Sequence, residues 1–306
     1  MSIFDAPGVI VLDGGLATPL EAHGHDLSDD LWSARLLVDA PGEIMVAHLA
    51  FYRAGAVVAT TASYQASFGG FAARGVGRPE AERLMRRSVE LARSARDQMA
   101  DDGVARWVAA SVGPYGAALA DGAEYRGRYG LSVADLVAWH RPRLEVLASA
   151  GPDLLALETV PDADEGEALV TAIAGLGVPA WLSYTIAGDH TRAGQPLAEA
   201  FAVAAGVHEV VAVGVNCCDP DDVPRAIEIA RESTGKPVIV YPNSGEEWDG
   251  QRRAWTGLSR YAGDQPARWA AQGARMVGGC CRIGPEDIAR FARTPTGTAS
   301  TAAERR

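Results

Sequence analysis

The stretch DLLALETVPDADEGEALVTAIAGL, residues 153–176, joins a short apolar run to a longer helical pattern. Its first eight residues are apolar at most positions, which is typical of a strand buried on both faces of a parallel sheet. The residues that follow, DADEGEALVTAIAGL, have the pattern of a helix. One strand followed by one helix is the repeating unit of α/β folds, so this stretch predicts a parallel α/β protein.

The same unit recurs along the chain. Helical patterns follow the other apolar runs, for example PGEIMVAHLAFYRAG at 41–55 and RPEAERLMRRSVELARSARDQM at 78–99. Eight strands alternating with eight helices, with no antiparallel hairpin, predict a single (β/α)8 TIM barrel; an open doubly wound sheet is the alternative. The predicted strands begin at Val9, Ala56, Arg106, Asp153, Pro179, Val210, Pro237 and Arg275.

Composition narrows the class of ligand. The net charge of −11, from 28 basic and 39 acidic residues, argues against nucleic acid and anionic membranes as partners and favours small molecules. The start MSIFDAPGVI has no basic segment before an apolar core, and no run of about 18 apolar residues occurs, so we expect a soluble cytoplasmic protein. Residues 1–293 are predicted to form the barrel, and TPTGTASTAAERR at 294–306 a disordered tail.

All four cysteines close two predicted strands, at the end of a barrel where active sites lie. Cys217 and Cys218 end the sixth strand, and Cys280 and Cys281 end the eighth. The ends of two strands separated by one neighbour are expected about 10 Å apart, so inward-facing side chains from both can share one ion. Three thiolates would bind one zinc ion and leave its fourth position for a ligand, with either Cys217 or Cys218 as the third ligand.

Adjacent strand residues point to opposite faces, so Cys280 and Cys281 can bind one ion only where the chain leaves regular β geometry. Gly278 and Gly279 are predicted to permit that departure. Three alternatives stay open at this point. The cysteines could be small core residues, vicinal redox pairs, or ligands of a structural zinc with all four positions closed by the protein.

Further motifs occur in the order of a known family: LDGGLATPLEAHGHDLSDDLWSARLL, AGAVVATTASYQAS, GPYGAALADGAEYRGRYG, ALETVPD, GVNCC, VYPNSGEEWD and MVGGCCRIGP. From about Val9 to Arg293 the chain resembles the homocysteine S-methyltransferases, in particular the branch that uses S-methylmethionine. The resemblance implies a zinc-containing (β/α)8 barrel. We expect no additional cobalamin or folate module, because the chain ends just after the predicted eighth helix. The stretch YTIAGDHTRAGQPL after the fifth strand departs from the pattern of this branch.

The resemblance also implies roles for single residues. Zinc is held by the cysteine after GVN and by both cysteines of GGCC, here Cys217, Cys280 and Cys281, which leaves Cys218 as an extra thiol. Homocysteine brings an α-ammonium group, for which a buried carboxylate at a strand end is a natural partner. The expected substrate-binding residues are Asp13, Gly14, Thr60, Ser63, Tyr64, Glu158 and Asn216. One or two of the loop residues Tyr64, Tyr115, Tyr125 and Tyr129 are expected to line the pocket of the cationic donor.

The implied reaction is zinc-dependent transfer of a methyl group from S-methylmethionine, or S-adenosylmethionine, to the thiol of L-homocysteine, giving methionine. No protein nucleophile is needed, because the metal lowers the pKa of the substrate thiol. Two other functions remain open: a betaine-using relative, and a non-catalytic zinc-binding or thiol-sensing barrel whose fourth ligand is Cys218. The expected assembly is a monomer or a small homo-oligomer.

Overall fold

Eight parallel strands form the centre of the computed structural model, which describes residues 3–5, 7–27, 31–249, 254–261 and 264–294. Each apolar run that the sequence predicts as a strand contains one of them, so the strand predictions are confirmed. In chain order they are β1 Ile10–Val11, β2 Val58–Thr60, β3 Trp107–Val112, β4 Leu154–Val160, β5 Ala180–Tyr184, β6 Val210–Asn216, β7 Val238–Tyr241 and β8 Ala274–Val277.

The strand order closes this sheet into a barrel. Neighbouring strands follow the order β1, β8, β7, β6, β5, β4, β3, β2, and each pairing is parallel. A parallel bridge between Leu12 and Val58, with a hydrogen bond from the Val57 amide to the Val11 carbonyl, joins the two ends of the order. The predicted (β/α)8 TIM barrel is therefore confirmed, and the open sheet is excluded.

Helices lie between the strands, as predicted, and four short ones were not anticipated. The unexpected helices α1, α2, α4 and α6 are each six residues or fewer, a length at which a helical period is seldom visible in sequence. The helices are α1 Ala17–Ala22, α2 Leu36–Asp39, α3 Pro41–Arg53, α4 Phe68–Ala73, α5 Arg78–Asp97, α6 Tyr115–Leu119, α7 Val133–Ser149, α8 Ala163–Ile173, α9 Leu197–Ala202, α10 Val223–Thr234, α11 Gln265–Gln272 and α12 Pro285–Ala292.

Two separate apolar cores follow from the alternation of side chains along each strand. In β4, Leu154 and Ala156 belong to the cluster inside the barrel, whereas Leu155 and Leu157 belong to the cluster between strands and helices. Inside the barrel the largest fully buried side chain is Trp181. By the same alternation, the side chain of Glu158, the next inward-facing residue of β4, points to the carboxyl end of the barrel.

Two small antiparallel hairpins contradict the prediction that none is present. One pairs 186–187 with 190–191 after β5, and the other pairs 247–249 with 254–256 after β7. Their strands are only two or three residues long, so no alternating pattern marks them in the sequence. Of the predicted tail, only Thr294 is among the described residues. In the described part of the chain, no helix combines the length and apolar character that a membrane crossing requires.

Candidate metal and substrate site

A cavity of about 1080 Å³ lies at the carboxyl ends of the strands. Residues at or just after the end of every barrel strand except β5 contribute to its wall. Among the residues predicted from the sequence to bind substrate or donor, Ser63, Tyr115 and Tyr129 do not line it. The predicted residues that the structure brings together in this wall are Asp13, Gly14, Thr60, Tyr64, Glu158, Asn216, Cys217, Cys280 and Cys281.

Three cysteine sulfurs converge at one point of this cavity. The Sγ atoms of Cys217, Cys280 and Cys281 all lie within 4.8 Å of one another, and Cys217 Sγ is 4.0 Å from Cys281 Sγ. Two sulfurs bound at about 2.3 Å to a tetrahedral zinc ion are about 3.8 Å apart, so this spacing fits such an ion. Burial raises the pKa of the Cys281 thiol to about 12, so a thiolate at this position needs a cation beside it.

Cys217 and Cys280 are joined by a disulfide in this structure. The bond occupies two of the three sulfurs that a metal ion would use. The disulfide and the three-thiolate site are therefore alternative states of the same cluster, and metal binding requires the reduced state.

The cysteines approach each other more closely than strand spacing predicts. The Cα atoms of Cys217 and Cys280 are 5.6 Å apart, well below the expected distance of about 10 Å. Both segments bend over the end of β7, because the Cys217 amide donates to the Tyr241 carbonyl and the Cys280 amide donates to the Pro242 carbonyl. Cys217 also has a left-handed φ of 47°, which turns the chain at this point.

Gly278 and Gly279 are needed for a different reason from the one predicted. Neither has a positive φ, so conformational freedom is not what this position requires. A Cβ on Gly278 would lie 2.5 Å from the Cβ of Leu12 and 2.6 Å from the Asp13 carbonyl oxygen, and a Cβ on Gly279 would overlap Ile283. Gly278 therefore allows the cysteine loop to pack directly against the end of β1, and Gly279 allows this loop to fold back onto its own Ile283.

Gly14 serves the same close approach from the other side. A Cβ on Gly14 would overlap the Ile283 carbonyl oxygen and lie 2.9 Å from the Phe51 ring. The Gly15 amide donates to the Ile283 carbonyl at 3.0 Å. The DGG motif therefore holds the loop that carries Cys280 and Cys281 in place, in addition to lining the cavity.

Cys218 lies apart from the cluster. It is 1% exposed and belongs to the apolar core between strands and helices, where burial raises the pKa of its thiol. It neither lines the cavity nor belongs to the group of sulfurs that could hold a metal ion. Of the two adjacent cysteines, Cys217 is therefore the one whose sulfur lies at the cavity with Cys280 and Cys281.

Two buried carboxylates face the base of the cavity. Glu158 accepts hydrogen bonds from the Ser111 hydroxyl and, at 3.0 Å, from the Tyr241 hydroxyl, which in turn accepts from Trp181. Burial raises the pKa of Glu158 to about 7. A carboxylate has about four acceptor positions, so Glu158 can accept further hydrogen bonds from a ligand. Ser111 and Tyr241 were not predicted, although both are polar residues at strand ends.

Asp13 is the second carboxylate. Its oxygens accept from the Thr60 amide at 2.6 Å and from the Thr60 hydroxyl at 3.0 Å, which ties the end of β1 to the end of β2. Burial is the main reason that the pKa of Asp13 is raised to about 8, and the charge of Glu158 adds to it. Two neighbouring carboxylates that resist ionisation favour the binding of a cation.

Asn216 and Ser63 hold the site together through bonds within the protein. The Asn216 amide accepts from the Thr159 amide and the Ser183 hydroxyl and donates to the Thr159 hydroxyl, all at 2.7–2.8 Å. These bonds fix Thr159, which has a left-handed φ of 58°. Ser63 is fully buried and donates to the Ser111 carbonyl at 2.8 Å. A supporting role fits both residues better than direct contact with a ligand.

The four loop tyrosines divide into two groups. Tyr64 and Tyr125 line the cavity, whereas Tyr115 and Tyr129 do not. The rings of Tyr115 and Tyr129 pack together with centroids 5.2 Å apart, next to Trp139. Only Tyr64 and Tyr125 are placed to meet a substrate held in the cavity.

A buried polar network supports the loops beside this aromatic group. Arg143 donates to the Gly113 carbonyl and to Nδ1 of His140, so His140 carries its proton on Nε2 and donates it to Glu165 at 2.9 Å. Arg143 also contacts the Ala66 carbonyl at 3.5 Å. The network thus links the loops after β2 and β3. Burial lowers the pKa of His140 to about 4.

Comparison with known proteins agrees with this geometry. The model of the homocysteine S-methyltransferase family matches residues 10–294. The homocysteine S-methyltransferase of Escherichia coli is 46% identical, over 94% of this chain and 96% of its own, and the homocysteine S-methyltransferase YbgG of Bacillus subtilis is 42% identical, over 95% of each.

Solved structures of the Escherichia coli homocysteine methyltransferase MmuM superpose closely on this chain. The metallated form has a TM-score of 0.86 at 44% identity and covers 95% of this chain and 97% of its own. The oxidized form has the same TM-score at 45% identity and covers 96% and 98%. With the family model matched over nearly the whole chain and relatives above 40% identity, the chain belongs to the homocysteine S-methyltransferase family.

Proposed function

We propose that this protein transfers a methyl group from a sulfonium donor, S-methylmethionine, to the thiol of L-homocysteine, and that it uses a zinc ion to do so. The observation that carries the proposal is the convergence of three cysteine sulfurs beside two buried carboxylates in one cavity. Family membership supports the acceptor, because the relatives are named for homocysteine.

Cys217, Cys280 and Cys281 would hold the metal. A zinc ion with three thiolate ligands can take the homocysteine sulfur as its fourth ligand and lower the pKa of that thiol, which supplies a nucleophile at neutral pH. The position of Cys218 in the apolar core supports this open fourth position over a non-catalytic site closed by the protein.

Glu158 and Asp13 would bind the α-ammonium group of homocysteine. Both carboxylates line the same cavity as the cysteines, and each already accepts two hydrogen bonds that fix its orientation. A bound ammonium group stabilises their ionised forms and satisfies their remaining acceptor positions. The amino-acid end of the acceptor is then fixed while its thiol reaches the cysteines, which is the positioning that an in-line transfer needs.

The rest of the cavity suits a cationic donor. Acidic residues outnumber basic ones in its wall, and the rings of Tyr64 and Tyr125 offer faces for a sulfonium group. Attack on the sulfonium methyl releases neutral methionine, so the protein need not protonate the leaving group. A betaine-using relative is the alternative donor type. We place the reaction in the cytoplasm, whose reducing conditions keep the three thiols free.

The experiment supplies the reduced, zinc-loaded protein with homocysteine and, separately, with S-methylmethionine, S-adenosylmethionine or betaine, and measures methionine. We expect methionine with S-methylmethionine. Cys281→Ser should lose both bound zinc and turnover, whereas the matched variant Cys218→Ala should keep both. Methionine formation with betaine alone would correct the donor, and equal loss of zinc in the two variants would contradict the assigned ligands.

A further inference from the structure

Six acidic residues line the cavity, against a single arginine, Arg282, among the described lining residues. The acidic residues differ in the hydrogen bonds and solvent contact that stabilise their carboxylates. Glu246 accepts from the Ser244 hydroxyl at 2.8 Å and, at 3.4 Å, from Nε of Arg282. Glu21 is exposed to solvent. The lining carboxylates are Asp13, Glu21, Asp26, Glu124, Glu158 and Glu246.

Glu124 differs from the others. Its Oε2 atom has no contact with solvent and no hydrogen-bond partner, and among the described Asp and Glu residues it is the only carboxylate with such an oxygen. Burial raises the pKa of Glu124. A buried, unpaired carboxylate oxygen is costly and calls for a partner that the protein itself does not supply.

The position of Glu124 is fixed by the fold around it. It lies in the 3-10 turn Ala123–Tyr125, which begins where the Asp121 carboxylate accepts from the Ala123 amide at 2.9 Å. The turn packs on α6 so closely that a Cβ on Gly116 would lie 2.5 Å from the Glu124 amide nitrogen. Glu124 is therefore presented to the cavity by a rigid turn, next to Tyr125.

The proposed donor carries two positive charges. Its sulfonium must face the acceptor sulfur at the cysteines, so its amino-acid end extends along the cavity away from them. Asp13 and Glu158 are assigned to the ammonium group of homocysteine, which leaves the ammonium group of the donor without a partner. Among the described lining residues, Glu124 is the carboxylate with a buried oxygen that has no hydrogen-bond partner.

We propose that Glu124 binds the α-ammonium group of the methyl donor and thereby selects a donor that is an amino acid. This assignment rests on the proposed function. The donor ammonium keeps its charge throughout the reaction, whereas the sulfonium loses its charge on methyl transfer. Glu124 therefore binds the ground state and the transition state equally and acts on the KM of the donor, not on kcat.

The test compares steady-state kinetics of the zinc-loaded protein and its Glu124→Gln variant with two donors. One is S-methylmethionine, and the other is 3-dimethylsulfoniopropanoate, a sulfonium without an α-ammonium group. A charge-assisted hydrogen bond of ordinary strength corresponds to about a ten- to hundredfold change in KM. We expect that increase for S-methylmethionine alone, with kcat within about twofold and the KM of homocysteine unchanged.

Two further variants serve as controls. Glu145→Gln removes an exposed carboxylate on α7, outside the cavity, and should leave all constants unchanged. Glu124→Asp keeps the charge and should recover part of the loss. The assignment is overturned if Glu124→Gln leaves the KM of S-methylmethionine within threefold of wild type, or if it impairs the ammonium-free donor equally. Failure of the wild-type protein to form methionine would instead reject the proposed function itself.

Discussion

Replacing Glu158 by glutamine should make the metal-free protein more stable and its binding of homocysteine weaker. Glu158 is 7% exposed and sits at the base of the cavity with hydrogen bonds from Ser111 and Tyr241. Glutamine keeps the shape of the side chain and removes its charge. The two effects have opposite signs because the buried charge opposes folding but attracts the substrate.

The magnitude follows from the pKa of Glu158. Burial raises it from 4.5 to about 7, so the folded protein holds a proton that the unfolded chain has released between these two pH values. The wild type therefore loses stability relative to the variant as pH rises from about 4.5 to about 7. This difference in unfolding free energy reaches about 3 kcal/mol at pH 8 and vanishes near pH 4.

Substrate binding should change in the other direction. A hydrogen bond between an ammonium group and a carboxylate contributes about 1.5–3 kcal/mol, which is roughly a ten- to hundredfold change in the dissociation constant of homocysteine. Titration calorimetry on the reduced, zinc-loaded proteins measures this value. Urea unfolding of the reduced, metal-free proteins at pH 4.5 and pH 8 measures the stability difference, with Glu145→Gln as the matched control.

Two results would contradict these roles of Glu158. If the difference in unfolding free energy between Glu158→Gln and wild type is the same at both pH values, then the ionised Glu158 does not destabilise the folded protein. If the dissociation constant of homocysteine changes less than threefold, then Glu158 is not a partner of its ammonium group.

Three other changes test the supporting structure. His48 is fully buried, neither of its ring nitrogens has a hydrogen-bond partner among the described residues, and burial lowers its pKa to about 4. In urea unfolding, wild type should therefore lose about 2 kcal/mol of stability relative to His48→Met between pH 7 and pH 5. Parallel pH profiles of the two proteins would contradict this. Arg143→Met should lower the free energy of unfolding by about 3–5 kcal/mol, because it leaves the buried Glu165 without its compensating charge. Adding Glu165→Gln should restore part of this loss, and purely additive effects would show that the two residues are not coupled. Gly278→Ala should destabilise the protein by about 1–3 kcal/mol in the same assay and weaken zinc binding, because the alanine Cβ would collide with the end of β1. A zinc affinity equal to that of wild type would contradict this packing role of Gly278.

The fold can be predicted well from the sequence, because strands that are buried on both faces appear as runs of apolar residues. Strands such as 154–160 are apolar at most positions, and polar residues such as Glu158 appear where the strand reaches the cavity. The cysteine cluster could also be predicted, since two pairs closing two strands of a barrel meet at one end. The helices α1, α2, α4 and α6 and the two hairpins could not, because such short elements seldom show a period in the sequence.

The finer features of the site depend on backbone geometry that residue types do not reveal. Cys217 and Cys218 are indistinguishable by spacing, and the left-handed turn at Cys217 determines which thiol faces the cavity. The roles of Gly278 and Asn216 depend on neighbours far away in sequence, namely Leu12 and Thr159. Such close approaches and hydrogen bonds become visible only when the strands are placed side by side.

X-ray absorption spectroscopy at the zinc edge tests the open zinc site most directly, on the reduced, zinc-loaded protein before and after addition of homocysteine. We expect three sulfur ligands at about 2.3 Å with one oxygen or nitrogen ligand, changing to four sulfur ligands when homocysteine binds. Four sulfurs before homocysteine is added, or a spectrum that homocysteine does not change, would contradict it.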